Sequence, residues 1–553
     1  MLLAATAQAA TRPNIILITL DSARADRMGF LGAKEKLTPN LDSLAQESLV
    51  LEHAYAQAPS TVVSHATILT GTYPQATRVN EFGSPLPATL PYLPDLLRTH
   101  GYRTAAFVGS IELDPKNGSA PGFGRGFDFY DASLGRPRAE GSGAIARSGV
   151  EVVARAMAWL TRNPARPFFL WMELSDAQAP YHSSSNAGVR SADAAAGRLI
   201  AALRGQKLYQ DSLLVVTADH GESLGAHGEE THGVFLYDET IRVPLLMRLP
   251  GTQMAGKRIA TKVSLVSVAP TILEAAGVGA PPEMQGQSLL RIAKSNSGAE
   301  QPVYSRSEFP QQAFGWSRLE SWRAGKYLYI RAPKPELYDL SADPGAAHNL
   351  AGSSRAVLDT MAGQLQGFDN HFGGSNSSAA SLTSSEMQKL ASLGYVGLQK
   401  QEMAATAVAG VDPKDAIAIA NKLQGALLSL EAGQAEQASR DAESIGARQA
   451  DLYLAQYILG VANFRKQQYA KASQYLHRAI ELLPDAAWAH YYMGATLLKT
   501  GDFKAAAVHL EIVCSRLPAF AAGHEGLSQA YEHLGKSTES QRERALAAKL
   551  GGS

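Results

Sequence analysis

Leu213-Leu214-Val215-Val216-Thr217-Ala218-Asp219-His220-Gly221-Glu222, running on through Gly225 and His227 to His232-Gly233, is the stretch whose reading decides the fold. Its first five residues are an apolar, β-rich run of the length of a buried strand. The run ends on an Asp-His pair and then a glycine. Open α/β sheets place their chemistry just beyond the carboxyl ends of strands. A carboxylate and an imidazole there offer a hard oxygen and a nitrogen, common donors to a divalent metal. Taken alone, Asp-His-Gly fits a helix cap and a packed imidazole equally well.

Asn14-Ile15-Ile16-Leu17-Ile18-Thr19-Leu20 is a second such strand, and it ends on Asp21. Thr38-Pro39-Asn40-Leu41-Asp42 then opens a helix. In Ala58-Pro59-Ser60-Thr61-Val62-Val63-Ser64-His65 three hydroxyls stand beside a proline, ahead of an apolar helical stretch that closes on Gly71. A hydroxyl at that place is either a simple cap or a nucleophile supported by the helix dipole and a metal. Pro167 to Leu174 forms another strand and leads into Asp176, Gln178, Pro180 and Tyr181.

At 553 residues the chain is too long for one ordinary domain, and 45% hydrophobic content is enough to bury large cores. Lys+Arg and Asp+Glu both number 51, which removes the electrostatic case for nucleic acid or an anionic membrane. Cys514 is the sole cysteine, so no intrachain disulfide forms. Residues 1–11 are apolar and then small, with an Ala-Gln-Ala that resembles a signal-peptidase site. They are expected to be a short signal segment, placing the protein in the bacterial periplasm or outside the cell. No run is long and apolar enough to span a bilayer.

Together these stretches resemble the sulfatase family of the alkaline phosphatase superfamily. The resemblance rests on Pro13-Asn14 to Asp21, Thr38-Pro39-Asn40-Leu41-Asp42, Leu69-Thr70-Gly71-Thr72-Tyr73-Pro74 and Asp219-His220-Gly221-Glu222, in family order. It extends to Pro335-Glu336-Leu337-Tyr338-Asp339-Leu340, Asp343-Pro344 and Asn349-Leu350, so that it covers roughly residues 12–400. It implies a divalent cation (Zn, Mn, Ca or Mg) held by Asp21, Asp219 and His220, with Thr61 as nucleophile and further ligand. Thr61 is assigned by counting ten residues back from Gly71. Sulfatases carry Cys or Ser there, within a Cys/Ser-x-Pro-x-Arg motif, and oxidise it to formylglycine; threonine cannot give that aldehyde. The resemblance therefore points to the branch with an unmodified threonine: phosphodiesterases, phosphonate hydrolases and phosphoethanolamine transferases.

The same resemblance implies that His232, thirteen residues after Asp219, lies near the transferred group. Asn80, Gln178 and His65 are expected among the substrate contacts, His65 standing where the family motif has its arginine. Gln178 takes the place of a family histidine, with Asp176 and His182 nearby, and Ser22 the place of a second aspartate. His227 reads as structural.

Gly374-Ser375-Asn376-Ser377-Ser378 and Ser381 to Ser385 are linker-like, whereas Leu390 to Gly397 resembles the closing segment of the family domain. A flexible join at 401–413 is expected. Beyond it Gly460 and Gly494 are 34 residues apart, as are Ala438, Ala472 and Ala506, and Pro484 and Pro518. That is the tetratricopeptide period, and four repeats fit over 414–550. The expected architecture is an α/β sulfatase-like sandwich with a mostly parallel central sheet (12–400, its C-terminal subdomain at about 300–400), followed by an all-α repeat array. The expected function is metal-dependent hydrolysis or transfer of an anionic sulfate or phosphate ester, with a protein or peptide partner on the repeats. The alternative is a catalytically weakened scaffold working mainly through the repeats.

Overall fold

The computed structural model describes residues 12–551 apart from 81–82, 117–118, 134–145, 164–166, 179–184, 296–299, 373–383, 394–409, 447–448 and 450. Its centre is an eight-stranded sheet made of β1 (Asn14–Leu20), β2 (Leu49–Tyr55), β3 (Arg103–Val108), β4 (Phe129–Asp131), β5 (Phe168–Leu174), β6 (Ser212–Ala218), β7 (Arg242–Arg248) and β8 (Arg258–Ser264). The strand order is β4-β3-β5-β1-β6-β7-β2-β8, with β7 antiparallel to both neighbours and every other pairing parallel. Every residue of β1, β5 and β6 is buried. Unbroken apolar runs, rather than alternating ones, are what strands covered on both faces require.

The register decides where the chemistry falls. Leu20 of β1 pairs with Ala218 of β6 on one side and with Leu174 of β5 on the other. Asp21 and Asp219 therefore leave the sheet side by side at its carboxyl edge, at the point where chain order reverses about β1.

A second, antiparallel sheet of β9 (Val303–Ser307), β10 (Leu319–Ala324), β11 (Tyr327–Arg331) and β12 (Glu336–Asp339) follows. The helix Arg355–Phe372 covers it over a core of Tyr304, Trp322, Tyr329, Leu358 and Leu365. The helix Ser384–Ser392 overlaps the end of the linker-like stretch. Segment 1–11, His182 and most of the expected join lie outside the described residues.

The C-terminal part is helical: Pro413–Glu431, Ala435–Gly446, Tyr453–Arg465, Tyr469–Leu482, Ala487–Thr500, Phe503–Arg516, Ala521–His533 and Ser537–Gly551. A Cβ at Gly460 would lie 2.6 Å from Leu476, and one at Gly494 would lie 2.7 Å from Leu510. Small residues thus stand where paired helices touch. The described end of the expected join, residues 410–413, is fastened to the preceding part of the chain. Asp412 accepts from the Lys334 amide at 2.9 Å, and Lys414 reaches the buried Glu336 at 2.8 Å. One apolar core runs from Ile15 of the sheet through Ala416 and Tyr453 into the first helices.

Candidate active site

At the carboxyl edge, donor atoms of Asp21, Asp219 and His220 all lie within 4.8 Å of one another, and all three side chains are buried. Oδ1 of Asp219 accepts from the amides of His220 (2.8 Å) and Ser22 (3.2 Å), and Oδ1 of Asp21 accepts from the Ser22 hydroxyl (3.1 Å). The other oxygen of each carboxylate is buried without a hydrogen-bond partner. His220 donates from Nδ1 to the Gly221 carbonyl at 2.8 Å. That bond leaves the Nε2 lone pair facing Asp21 at 3.6 Å and Asp219 at 3.5 Å.

Two buried carboxylates, each with one orphaned oxygen, and an imidazole lone pair brought within 4.8 Å of one another repel unless a cation sits among them. Burial, and then the neighbouring Asp219 and Glu173 charges, push the Asp21 carboxyl well above its ordinary range. Burial does the same to Asp219. A divalent ion reverses that logic, and the donor set fits one.

Thr61 is the first residue of the helix Thr61–Thr70, preceded by extended Ser60. Its Oγ1 lies 3.3 Å from His220 Nε2. The helix packs back on the metal-ligand loop through Ser64, whose hydroxyl donates to the Asp219 carbonyl at 2.6 Å. His65 is fully buried, with Nδ1 3.4 Å from Oδ2 of Asp219. The Trp171 indole donates to the Thr19 hydroxyl (3.1 Å), Thr19 donates to His65 Nε2 (2.9 Å), and His65 Nδ1 donates to the Thr61 carbonyl (2.8 Å). This directed chain fixes one tautomer, and burial lowers the imidazole to about 4, so His65 stays neutral. It holds the Thr61 backbone from beneath.

The loop after β6 is fastened from several sides. Gly221 donates to the Thr240 carbonyl at 2.7 Å, and a methyl at Gly221 would collide with the Glu239 carbonyl oxygen. Gly221→Ala is therefore expected to destabilise the protein by about 1–3 kcal/mol through overpacking, read as a lower melting midpoint; an unchanged midpoint would deny that close approach. Arg24 donates to the carbonyls of Glu222 (3.0 Å) and Ser223 (3.3 Å), which ties the loop after β1 to this one. Glu229, buried, accepts from the Val234 and Phe235 amides at 2.8 and 3.1 Å.

His232 comes back beside the ligands, its ring 4.4 Å from that of His220 and its Nδ1 3.2 Å from Glu222. Burial lowers its basicity, but the Glu222 carboxylate outweighs burial and holds the imidazole at about 9. It is a cation at neutral pH. His227 stacks on Tyr237 with ring centres 3.6 Å apart, in keeping with a structural role.

Asn80 lines a small pocket of about 20 Å3 together with Ser60, Val63, Gly233, Arg306 and Phe309; Ser60 and Gly233 are the chain neighbours of Thr61 and His232. Gln178 follows β5, is 5% exposed, and its Oε1 has no hydrogen-bond partner. Asp176 accepts from the Gly149 amide and the Ser191 hydroxyl at 2.7 and 2.5 Å, and so ties two elements together. Sequence reasoning gave no role to Arg24, Glu173 or Glu222 and read Ser22 only as a replaced aspartate. Ser22 adopts φ 57°, a left-handed conformation rare outside glycine, and from there grips both metal-facing carboxylates. Glu173 joins the ends of β3 and β5 by accepting from Gly109 and Ser110 at 2.6 and 2.8 Å.

Comparison with known proteins gives consistent results. The Sulfatase family profile matches residues 13–186 and 172–278, and the profile for N-sulphoglucosamine sulphohydrolase, C-terminal, matches 228–369. An ulvan-active sulfatase of Formosa agariphila is 25% identical over 64% of this chain and 80% of its own length. Arylsulfatase K of Mus musculus is 31% identical over 32% of this chain, a match spanning 34% of that protein. Among solved structures, the phosphonate monoester hydrolase of Agrobacterium radiobacter aligns with a TM-score of 0.55 at 20% identity, over 65% of this chain and 96% of that one. A 2-O GAG sulfatase aligns with a TM-score of 0.56 at 18% identity, over 66% and 93%.

Proposed function

The chain carries a sulfatase-family domain, and from that premise we propose that it cleaves a phosphate or sulfate ester, or transfers its phosphoryl or sulfuryl group, through Thr61. The observation that carries the reading is the Thr61 hydroxyl standing against the buried Asp21, Asp219 and His220 cluster.

A divalent ion bound by Asp21, Asp219 and His220, beside Thr61, supplies positive charge that lowers the hydroxyl pKa and neutralises non-bridging oxygens of the substrate. Thr61 Oγ1 loses its proton to solvent water and, as the alkoxide, attacks the central atom in line. The bond to the leaving oxygen breaks as the bond to Thr61 forms. His232, held cationic by Glu222, donates a proton to an oxygen of the reacting group or to the departing alkoxide. Neutral His65 and the helix N-terminus keep the nucleophile in place meanwhile. Water then attacks the esterified threonine and regenerates the hydroxyl.

Between the two esters, an unmodified threonine favours phosphorus. A phosphorylated threonine is open to attack by water at phosphorus, whereas an alkyl sulfate on Thr61 has no second hydroxyl with which to expel it. We read the helical part as tetratricopeptide repeats that recruit a protein or peptide partner, supported by the 34-residue spacing of Gly460 and Gly494.

The test is metal analysis followed by turnover of aryl phosphate monoesters and diesters, aryl phosphonates and aryl sulfates. One divalent ion per chain and fastest turnover of a phosphorus ester are expected. Faster turnover of an aryl sulfate would reverse the choice of central atom, and inactivity on the whole panel with metal bound would refute the reading.

A further inference from the structure

We propose that the first helix of the C-terminal array, Pro413–Glu431, is a working part of the active site, with Asn421 and Gln424 as positioning residues that hold the catalytic loop and, through it, His232. The inference rests on the role given to His232 above.

Left to itself, the loop is poorly suited to hold a side chain still. Leu224, Gly225, His227, Gly228 and Gly233 all have φ between 52° and 104°, and glycine-rich backbone loses much entropy when ordered. Its inner side is tied by Arg24, by Glu229 and by the Ser223 amide donating to the Thr231 carbonyl at 2.8 Å. Its outer side is tied by the distant helix. Asn421 Oδ1 accepts from the Glu230 amide at 3.0 Å, while its Nδ2 donates to the Gly228 carbonyl at 2.8 Å. Three residues on, Gln424 Nε2 donates to the carbonyl of His232 itself at 2.8 Å, and its Oε1 accepts from the Thr231 hydroxyl at 3.3 Å. The backbone partners are an unambiguous donor and two unambiguous acceptors, so the orientation of each amide is fixed by the network.

Lys414, Ile417, Asn421 and Gln424 recur at three- and four-residue intervals and share one helix face. The whole face meets the catalytic part. Lys414 reaches Glu336, Ile417 lies where a Cβ on Gly228 would touch it, and the two amides follow. Glu431, at the end of the helix, and both Asp21 and His232 feel the charge of the same Glu112. The helix therefore borders the catalytic part from Lys414 to Gln424. A helix serving only as a tether to a separate module has no need to place two amides on the backbone of a catalytic loop.

The experiment uses the full-length, metal-loaded protein with Asn421→Ala, Gln424→Ala and the double variant, and Lys422→Ala on the exposed side of the same helix as control. Metal content is expected to stay at the wild-type level. Hydrogen exchange of the segment 228–232 should speed up in the double variant, with Glu230 foremost because its amide donates to Asn421, and should not change in Lys422→Ala. On the best aryl ester, kcat/KM of the double variant should fall about 10- to 100-fold, the scale of a small misplacement of a catalytic group. In a His232→Ala background the same two substitutions should cost nothing further, because they act through that imidazole.

Unchanged exchange of 228–232 would overturn the proposal, and so would a full additional loss in the His232→Ala background. Asn421→Asp, which keeps the acceptor for Glu230 and loses the donor to Gly228, covers the case of a double variant that fails to fold; partial exposure of the segment is expected. Wild-type inactivity on every ester would refute the function proposed above and leave the clamp to be decided by exchange alone.

Discussion

Thr61→Ala should lower kcat/KM on every ester by about four to six orders of magnitude, the cost of removing an obligatory nucleophile. The variant should fold normally. Alanine is well tolerated in the first turn of a helix, and the bond from His65 goes to the Thr61 backbone carbonyl, which the substitution keeps. Metal occupancy should remain near the wild-type level, because Asp21, Asp219 and His220 are untouched. Thr61→Ser keeps a hydroxyl and should retain measurable turnover. Ser60→Ala should stay close to wild type. Ser64→Ala should fall between, because Ser64 supports the Asp219 carbonyl at 2.6 Å. Comparable rates for Thr61→Ala and wild type would remove Thr61 from the mechanism.

The second large effect is expected at Asp219. Asp219→Asn preserves an oxygen that can accept from the Ser22 and His220 amides, so the loop should keep its shape. What it loses is the orphaned anionic oxygen facing Asp21 and His220. Bound divalent metal should drop from about one per chain to near zero, and activity should drop with it. Wild-type protein should lose stability when a chelator strips the ion, by about 2.7 kcal/mol if free metal had been ~100-fold above its Kd. The variant should melt at the same temperature with or without chelator. Full metal occupancy in Asp219→Asn, measured by elemental analysis, would show that Asp219 is not a ligand.

Much of this site is legible along the chain because its parts follow from local rules. Two apolar runs each ending on aspartate, Leu20-Asp21 and Ala218-Asp219, indicate central strands with ligands at their carboxyl ends, and parallel register sets the two carboxylates side by side. The spacing from Gly71 marks Thr61, and the structure puts that hydroxyl beside His220.

What the sequence hides is decided by partners far away. His65 is expected as a substrate contact because it stands where the family motif has its arginine. Its ring turns inward only because Thr19 on β1 and Trp171 on β5 offer a ready-made hydrogen-bond chain. Ser22 reads as a lost ligand, and nothing local announces that a left-handed backbone lets it hold both remaining carboxylates.

The composition around 401–413 suggests a flexible join between the catalytic part and the repeat array. That reading misses contacts made across almost 200 positions, from Asn421 and Gln424 to the loop at 228–232. Amide side chains on a helix surface carry no sequence signal that distinguishes solvent from a partner loop.

The central claim, that a threonine hydroxyl performs the displacement, is tested most directly by trapping the covalent intermediate. Metal-loaded protein is mixed with excess of its best aryl ester, quenched in acid within the first turnover, digested, and the peptide spanning Ser60 to Ser64 sequenced by mass spectrometry. The expected result is the mass of one phosphoryl or sulfuryl group, on Thr61 and on no other residue, that disappears once substrate is exhausted. An unmodified Thr61 throughout a burst of product release, or an adduct on Ser60, Ser64 or His232 instead, would contradict it.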